Sequence, residues 1–128
     1  MRALVLVDIQ PTFMPGGELP VPNGDEVVPV ANEMIKKFRA SGDVVAATRD
    51  WHPEVHCSFA ECYDGPDAPY EIFDKVVTDG VERTLWPKHG VQDTAEAEFH
   101  PDLELDESTI RINKGMDPNV DSHSAFWG

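Results

Sequence analysis

The chain has 128 residues, which is the length of one ordinary domain and is enough to bury a hydrophobic core. It carries 24 acidic residues against 10 basic ones, a formal net charge of −14, with no basic cluster. This charge argues against nucleic acid and against anionic membrane surfaces as partners, while a neutral small substrate would be indifferent to it. We therefore expect a single globular domain over residues 1–128.

The first part of the chain alternates between strand and helix patterns. Residues 3–7 form a short apolar run, which is typical of a strand buried on both faces of a parallel sheet. After a loop rich in proline and glycine, apolar residues recur at helical spacing from Val27 to Phe38, and Gly42 ends this helix. A second apolar run covers residues 44–47. This order predicts a βαβ unit and hence an α/β fold with a parallel sheet.

The remaining pattern is sparser but ends in a third strand. Residues 53–87 lack sustained periodicity, so we expect a loop with short elements there, whereas residues 108–113 alternate like a strand. Asp8, Asp50 and Lys114 each follow the end of a predicted strand. Because parallel strands end at one edge of the sheet, where open α/β sheets bind ligands, these three side chains are predicted to form one site.

A metal site is predicted next to this edge. Asp50 and His52 present a carboxylate and an imidazole from one extended segment, and such ligands suit Zn, Mn or Fe. His89, in "LWPKHG", could complete the site from a distant loop. The alternative is a surface loop that happens to be rich in histidine.

The two cysteines, Cys57 and Cys62, suggest no disulfide framework and favour a reduced, cytoplasmic protein. The first apolar run is too short for a signal peptide or a membrane span. A rival metal site would be a structural zinc, although the spacing of its ligands is irregular. Its ligands would be His52, His56, Cys57 and Cys62.

Two further pairs have both a structural and a functional interpretation. Asp8 and Lys114 could form a structural ion pair, or a base held by a lysine in a cleft. Phe13 and Trp86 could be ordinary core residues, or could form a flat slot for a planar ring.

Four segments carry a resemblance to a known family. They are "LVDIQPTFMPGGELPVPNGDEVVPVAN", "TRDWHPEVHCSFA", "LWPKHGVQDTAEAEFHPDL" and "INKGMDPNVDSHSAF". In order and spacing they resemble nicotinamidases, members of the isochorismatase-like cysteine hydrolase superfamily. The resemblance spans nearly the whole chain and implies a parallel sheet with helices on both faces. It also implies hydrolysis of nicotinamide to nicotinate and ammonia, as in NAD salvage, with pyrazinamide as a further substrate, and it leaves homo-oligomerisation open.

The resemblance also implies roles for individual residues, including ligands for a divalent transition metal. By position, these roles are catalytic for Asp8 and Lys114, metal-binding for Asp50, His52 and His89, and pocket-lining for Phe13, Leu19 and Trp86. His56 matches a histidine that is not usually a ligand.

The sequence also departs from the family pattern. The family's nucleophile is a cysteine well downstream of the lysine, and no cysteine follows Lys114 in the 128 residues. We therefore expect a domain incomplete at its C-terminal side, poorly stable and inactive alone; a non-catalytic metal- or ligand-binding domain is the alternative. Gly90 stands where many members have Cys, Asp93 and Glu96 replace common glycines, and His123 stands where Tyr is usual.

Overall fold

The computed structural model describes residues 1–126. Its regular elements are β1 (Ala3–Val7), α1 (Val27–Ala40), β2 (Val44–Asp50), β3 (Lys75–Thr78), β4 (Val81–Thr84) and β5 (Ile110–Lys114). Short 3-10 turns lie at Pro11–Phe13, Gly24–Glu26 and Ala95–Ala97. Within residues 1–126, no helix combines the length and the apolar character that crossing a bilayer would require.

The central sheet is parallel and has the strand order β1-β2-β5. Its register aligns Val5 with Ala46 and Ala46 with Ile110, so side chains on neighbouring strands form straight rows across the sheet. The predicted α/β class with a parallel sheet is confirmed. Among the described residues, α1 is the α-helix that covers this sheet, and it packs on the face that carries Leu6 and Val45.

Helix α1 follows the predicted pattern of apolar residues. Val28, Ala31 and Ile35 are buried, and their spacing places them on one side of the helix against the sheet. Pro29 lies in the first turn, where its missing N–H breaks no helical hydrogen bond. Gly42 has φ +71°, a left-handed conformation that lets the chain leave the helix and enter β2.

Two strands have different bounds from those predicted. β2 continues to Asp50 instead of ending at residue 47, and β5 covers residues 110–114 instead of 108–113. The ladder extends through polar residues because its hydrogen bonds join backbone groups, which the apolar pattern does not report. Asp50 and Lys114 are therefore the last residues of their strands, paired side by side, whereas Asp8 follows β1 with φ +54°.

The segment 53–87 contains a hairpin. β3 and β4 are antiparallel and are joined by Asp79 and Gly80, whose φ angles are +52° and +78°. Positive φ at both central residues is the mark of a type I′ turn, and Asp-Gly between β-branched runs was the available signal for it. Val76 of the hairpin packs with Leu85 in a second small core.

Candidate functional site

The carboxyl ends of the three parallel strands bring Asp8, Asp50 and Lys114 together. Lys114 Nζ contacts Asp8 Oδ2 at 2.8 Å and also donates to Asp50 Oδ1. Thr48 Oγ1 donates to Asp8 Oδ1 at 2.7 Å, so both oxygens of that carboxylate have a partner. One ammonium group therefore bridges two carboxylates that come from different strands.

Burial and neighbouring charges shift the pKa values of Asp50 and Lys114 in opposite directions. Burial disfavours the charged form of Asp50, but the contact with His52 and the charge of Lys114 outweigh it and hold its pKa well below the usual range. Burial likewise disfavours charged Lys114, but the charge and hydrogen bond of Asp50 prevail and raise its pKa. Both groups are therefore ionised at neutral pH.

A buried amide that the sequence did not mark holds the backbone of Asp50. Gln10 is fully buried; its Nε2 donates to Asp50 O at 3.0 Å and to Ala97 O at 2.7 Å. Its Oε1 accepts from Asp50 N at 2.8 Å. The partners lie 40 and 87 positions away in the chain, so no local pattern announces this role.

The three predicted metal ligands lie together. Asp50, His52 and His89 are buried, and one ligand atom from each lies within 4.8 Å of the other two. Asp50 Oδ2 lies 3.7 Å from His52 Nε2 and 3.8 Å from His89 Nε2. The structure thus joins the Asp-x-His segment to the distant loop that carries His89.

The hydrogen bonds of the two imidazoles show that this group fits a metal ion. His52 Nδ1 lies 2.7 Å from Gly115 O, and His89 Nδ1 lies 2.7 Å from Pro87 O. A carbonyl oxygen only accepts, so each Nδ1 carries the hydrogen and each Nε2 of a neutral ring holds a lone pair. Burial lowers the pKa of His89 and so favours its neutral form. Two lone pairs and the Asp50 carboxylate converge, and metal-binding histidines characteristically donate their other N–H in this way.

The rival zinc arrangement has no support among the described residues. The group of three potential ligands in residues 1–126 includes neither His56 nor either cysteine. The ring of His56 packs 4.4 Å from that of His52, centroid to centroid, as a neighbour. Burial and the charge of Asp121 raise the pKa of the Cys57 thiol, which disfavours the thiolate that binds zinc.

The predicted pocket residues Phe13 and Trp86 line two different grooves. The Phe13 ring lies 5.8 Å from that of His89, and Phe13 lines an apolar groove of about 510 Å³ that also includes Asp8. Trp86 lines a different groove, and its ring lies 6.2 Å from that of His123. Leu19 is half-buried in the loop that follows Phe13. Phe13 therefore lies beside the ligand group and lines the same groove as Asp8.

Comparisons with known proteins identify similar sequences and similar folds. The model of the isochorismatase domain matches residues 2–120. The nicotinamidase of Escherichia coli K12 is 42% identical over 127 residues, which cover 98% of this chain and 57% of that protein. The pyrazinamidase of Pyrococcus horikoshii, solved in complex with zinc, has a TM-score of 0.76 at 43% identity, covering 97% of this chain and 57% of that one. The yeast nicotinamidase Pnc1p has a TM-score of 0.86 at 27% identity, and the match covers 98% of this chain and 62% of that one.

These relatives are longer than the sequence compared with them. The chain spans 57% of the length of the E. coli nicotinamidase and a similar share of the archaeal pyrazinamidase. Within that span the match is nearly continuous, and the family resemblance inferred from the four motifs is confirmed. The chain belongs to the isochorismatase domain family.

Proposed function

We propose that this chain carries the acid, the lysine and the metal ligands of a nicotinamidase-type amidohydrolase, which converts nicotinamide to nicotinate and ammonia. The observation that carries the proposal is the position of Lys114. It bridges Asp8 to Asp50, and Asp50 belongs to the buried group with His52 and His89. The names of the relatives supply the substrate class: a nicotinamidase and a zinc-complexed pyrazinamidase.

Asp8 is the proposed proton carrier. In the cysteine hydrolase superfamily the nucleophile is a thiol, and this sequence has no cysteine after Cys62. Asp8 would accept the thiol proton as the sulfur attacks the carboxamide carbon and a C–S bond forms. It would return that proton to nitrogen as the C–N bond breaks and ammonia leaves. Water would then cleave the thioester, releasing nicotinate and restoring the thiol.

Lys114 and Thr48 are the proposed supports of this acid. The ammonium of Lys114, 2.8 Å from Asp8 Oδ2, stabilises the carboxylate, and the hydroxyl of Thr48 fixes the other oxygen. Since Lys114 also contacts Asp50, the proton carrier and the metal-binding group share one cation.

The metal-binding group and the groove have the proposed role of placing the substrate. Asp50, His52 and His89 would hold a divalent transition metal, with zinc the proposed ion, which when bound supplies a coordination site for the pyridine nitrogen. Phe13, beside His89, would pack against the ring, and Leu19 and Trp86 are the other proposed pocket residues. The carboxamide would then face Asp8.

The proposal is tested by ammonia release from nicotinamide. Purified protein of verified mass is assayed as residues 1–128 alone and, where the reading frame continues, within the longer product. The longer product should release ammonia, and Asp8→Asn should lower its kcat about 100-fold or more, because it removes the proton carrier. The exposed Asp102→Asn, which makes the same chemical change away from the site, should leave the rate unchanged.

Two outcomes would contradict the proposal. Turnover by residues 1–128 alone, abolished by Cys57→Ala or Cys62→Ala, would move the nucleophile into the segment before the hairpin. A longer product that retains stoichiometric zinc and releases no ammonia would identify a non-catalytic metal-binding domain instead.

A further inference from the structure

We propose that Glu18 is a positioning residue for the metal-binding group. Its carboxylate joins the loop of residues 11–21 to Gly90. The backbone of Gly90 is next to each of the three proposed metal ligands. The proposal rests on the metal site put forward under the proposed function. It concerns a side chain that the sequence left unmarked, on an exposed position of a glycine-rich loop.

The bridge consists of three hydrogen bonds. Glu18 Oε2 accepts from Thr12 Oγ1 at 2.9 Å and from Gly90 N at 3.1 Å. Thr12 Oγ1 is a second acceptor for Gly90 N, at 3.3 Å, and Thr12 is fully buried. Hydrogen bonds to an ionised acceptor are roughly twice as strong as those between neutral groups. The carboxylate is therefore the strongest partner of the Gly90 N–H.

Gly90 contacts each member of the ligand group through its backbone. It follows His89 directly, and its carbonyl oxygen accepts from His52 N at 2.9 Å. It has φ +57°, and a Cβ on it would lie 2.9 Å from the Asp50 Cβ, so in this structure the Gly90 backbone lies directly against Asp50. A displacement of Gly90 would therefore be transmitted to all three proposed ligands.

The loop that presents Glu18 is held independently of the carboxylate. A Cβ on Gly17 would lie 2.3 Å from Pro11 O, so this position admits only glycine. Leu19 N donates to Thr12 O at 2.9 Å on the other side of Glu18. Removal of the Glu18 side chain should thus take away one of the two acceptors of the Gly90 N–H and leave Thr12 Oγ1, without unfolding the loop. The bridge can therefore be tested by substitution.

The same bridge connects the proposed substrate groove to the metal-binding group. Phe13 follows Thr12 directly, and its ring lies 5.8 Å from that of His89. Side chains that hold metal ligands in place typically contribute roughly 10- to 100-fold to metal affinity, and this sets the expected effect.

The test compares Glu18→Ala and Glu18→Gln with a matched control. Glu82→Gln makes the same charge change on β4, at a side chain that is 67% exposed and pairs with Lys75. Zinc affinity is measured by competition with a chromophoric chelator, and ligand geometry by the visible spectrum of the cobalt-substituted protein. Glu18→Ala should weaken zinc binding roughly 10- to 100-fold and alter the cobalt bands. Glu18→Gln, which keeps an acceptor oxygen, should lose less, and Glu82→Gln should match the wild type.

A second readout reports the bridge without metal. In the metal-free protein, the Gly90 amide should exchange its hydrogen faster in Glu18→Ala than in the wild type, with Glu18→Gln intermediate. If Glu18→Ala exchanges faster than the wild type but keeps its zinc affinity and cobalt spectrum, then Glu18 only stabilises the loop, and the positioning role is overturned. Unchanged exchange would overturn the bridge itself. A wild-type protein that binds neither zinc nor cobalt would refute the proposed metal site, and with it this role, while the exchange rate still reports whether the bridge exists.

Discussion

The two faces of the parallel sheet carry apolar residues in the same strands but differ in burial. On the face covered by α1, the exposed fractions are 6% for Leu6, 4% for Val45 and 1% for Ala47. On the opposite face, the side chains of the two edge strands are exposed: 38% for Val5, 50% for Val7, 52% for Ile110 and 41% for Ile112. Ala46 of the central strand lies on that face too and is 8% exposed. The prediction that residues 3–7 are buried on both faces is therefore wrong for the structure of residues 1–126, because α1 covers one face.

The open face is also the face that leads to the candidate site. Side chains alternate along a strand, so Lys114 lies on the same side of β5 as Ile110 and Ile112. In the pairing of β2 with β5, Thr48 lies beside Ile112 and Asp50 lies beside Lys114, so these two residues of β2 are on the same face. The comparison teaches that the face against α1 holds the buried apolar core, while the uncovered face ends in the charged groups proposed for chemistry. The substitutions below would break or sharpen this contrast.

The largest loss of stability is expected at the charged end of the open face. Lys114→Met leaves two nearly buried carboxylates without their cation, and breaking a buried ion pair in this way should cost about 4 kcal/mol. Urea unfolding of wild type and variant measures the difference. Lys75→Met, which removes an exposed lysine from the hairpin, is the control and should change little. If Lys114→Met and Lys75→Met both change the free energy of unfolding only slightly, then solvent screens the ion pairs of Lys114.

The next largest loss is expected in the covered face. Ile35 is fully buried between α1 and the sheet, so Ile35→Ala should lower the free energy of unfolding by about 3 kcal/mol. Val30→Ala, at a position of the same helix that is 59% exposed, should stay within about 0.5 kcal/mol of wild type. A loss at Val30 as large as that at Ile35 would mean that the outer side of α1 is covered in solution.

A smaller effect is expected where α1 is joined to the segment before β5. Asn32 Nδ2 donates to Asp102 O at 2.8 Å, and Asn32 Oδ1 accepts from Glu104 N at 2.9 Å. These bonds hold Leu103 in the covered core, so Asn32→Ala should cost about 1 kcal/mol. Thermal unfolding measures it. Asn32→Asp keeps the acceptor for Glu104 N but turns a second oxygen toward Asp102 O, and two acceptors repel, so it should lose at least as much. A clearly smaller loss in Asn32→Asp than in Asn32→Ala would assign the effect to the bond from Glu104 N.

The smallest effect is expected on the open face. Ile110→Thr replaces a half-exposed side chain by another β-branched residue and should change the free energy of unfolding by less than about 0.5 kcal/mol. The measurement is repeated over a range of protein concentrations. A loss of unfolding free energy as large as that for Ile35→Ala, increasing with protein concentration, would show that association between chains covers this face. The contrast between a covered and an open face would then not hold.

Much of the candidate site was predictable because its residues follow strand ends. Asp8, Asp50 and Lys114 come from separate runs, yet parallel strands bring their carboxyl ends together whatever the exact strand bounds. The strand bounds themselves were not predictable, since backbone pairing continued through Thr48 and Asp50 where the apolar pattern had stopped. Gln10 was missed because a buried amide is recognised only by partners distant in sequence.

The sequence by itself determined the α/β order, the edge where the charged residues meet, the candidate ligands Asp50, His52 and His89, and the family. Periodicity and motif spacing are local properties of the chain, so they can be read without coordinates. Only the tertiary structure decided which face of the sheet is covered and which imidazole nitrogen is left for a metal. It also decided that Glu18 reaches Gly90. These features depend on side chains and backbone groups that distant segments of the chain bring into contact, and no local pattern in the sequence records such contacts.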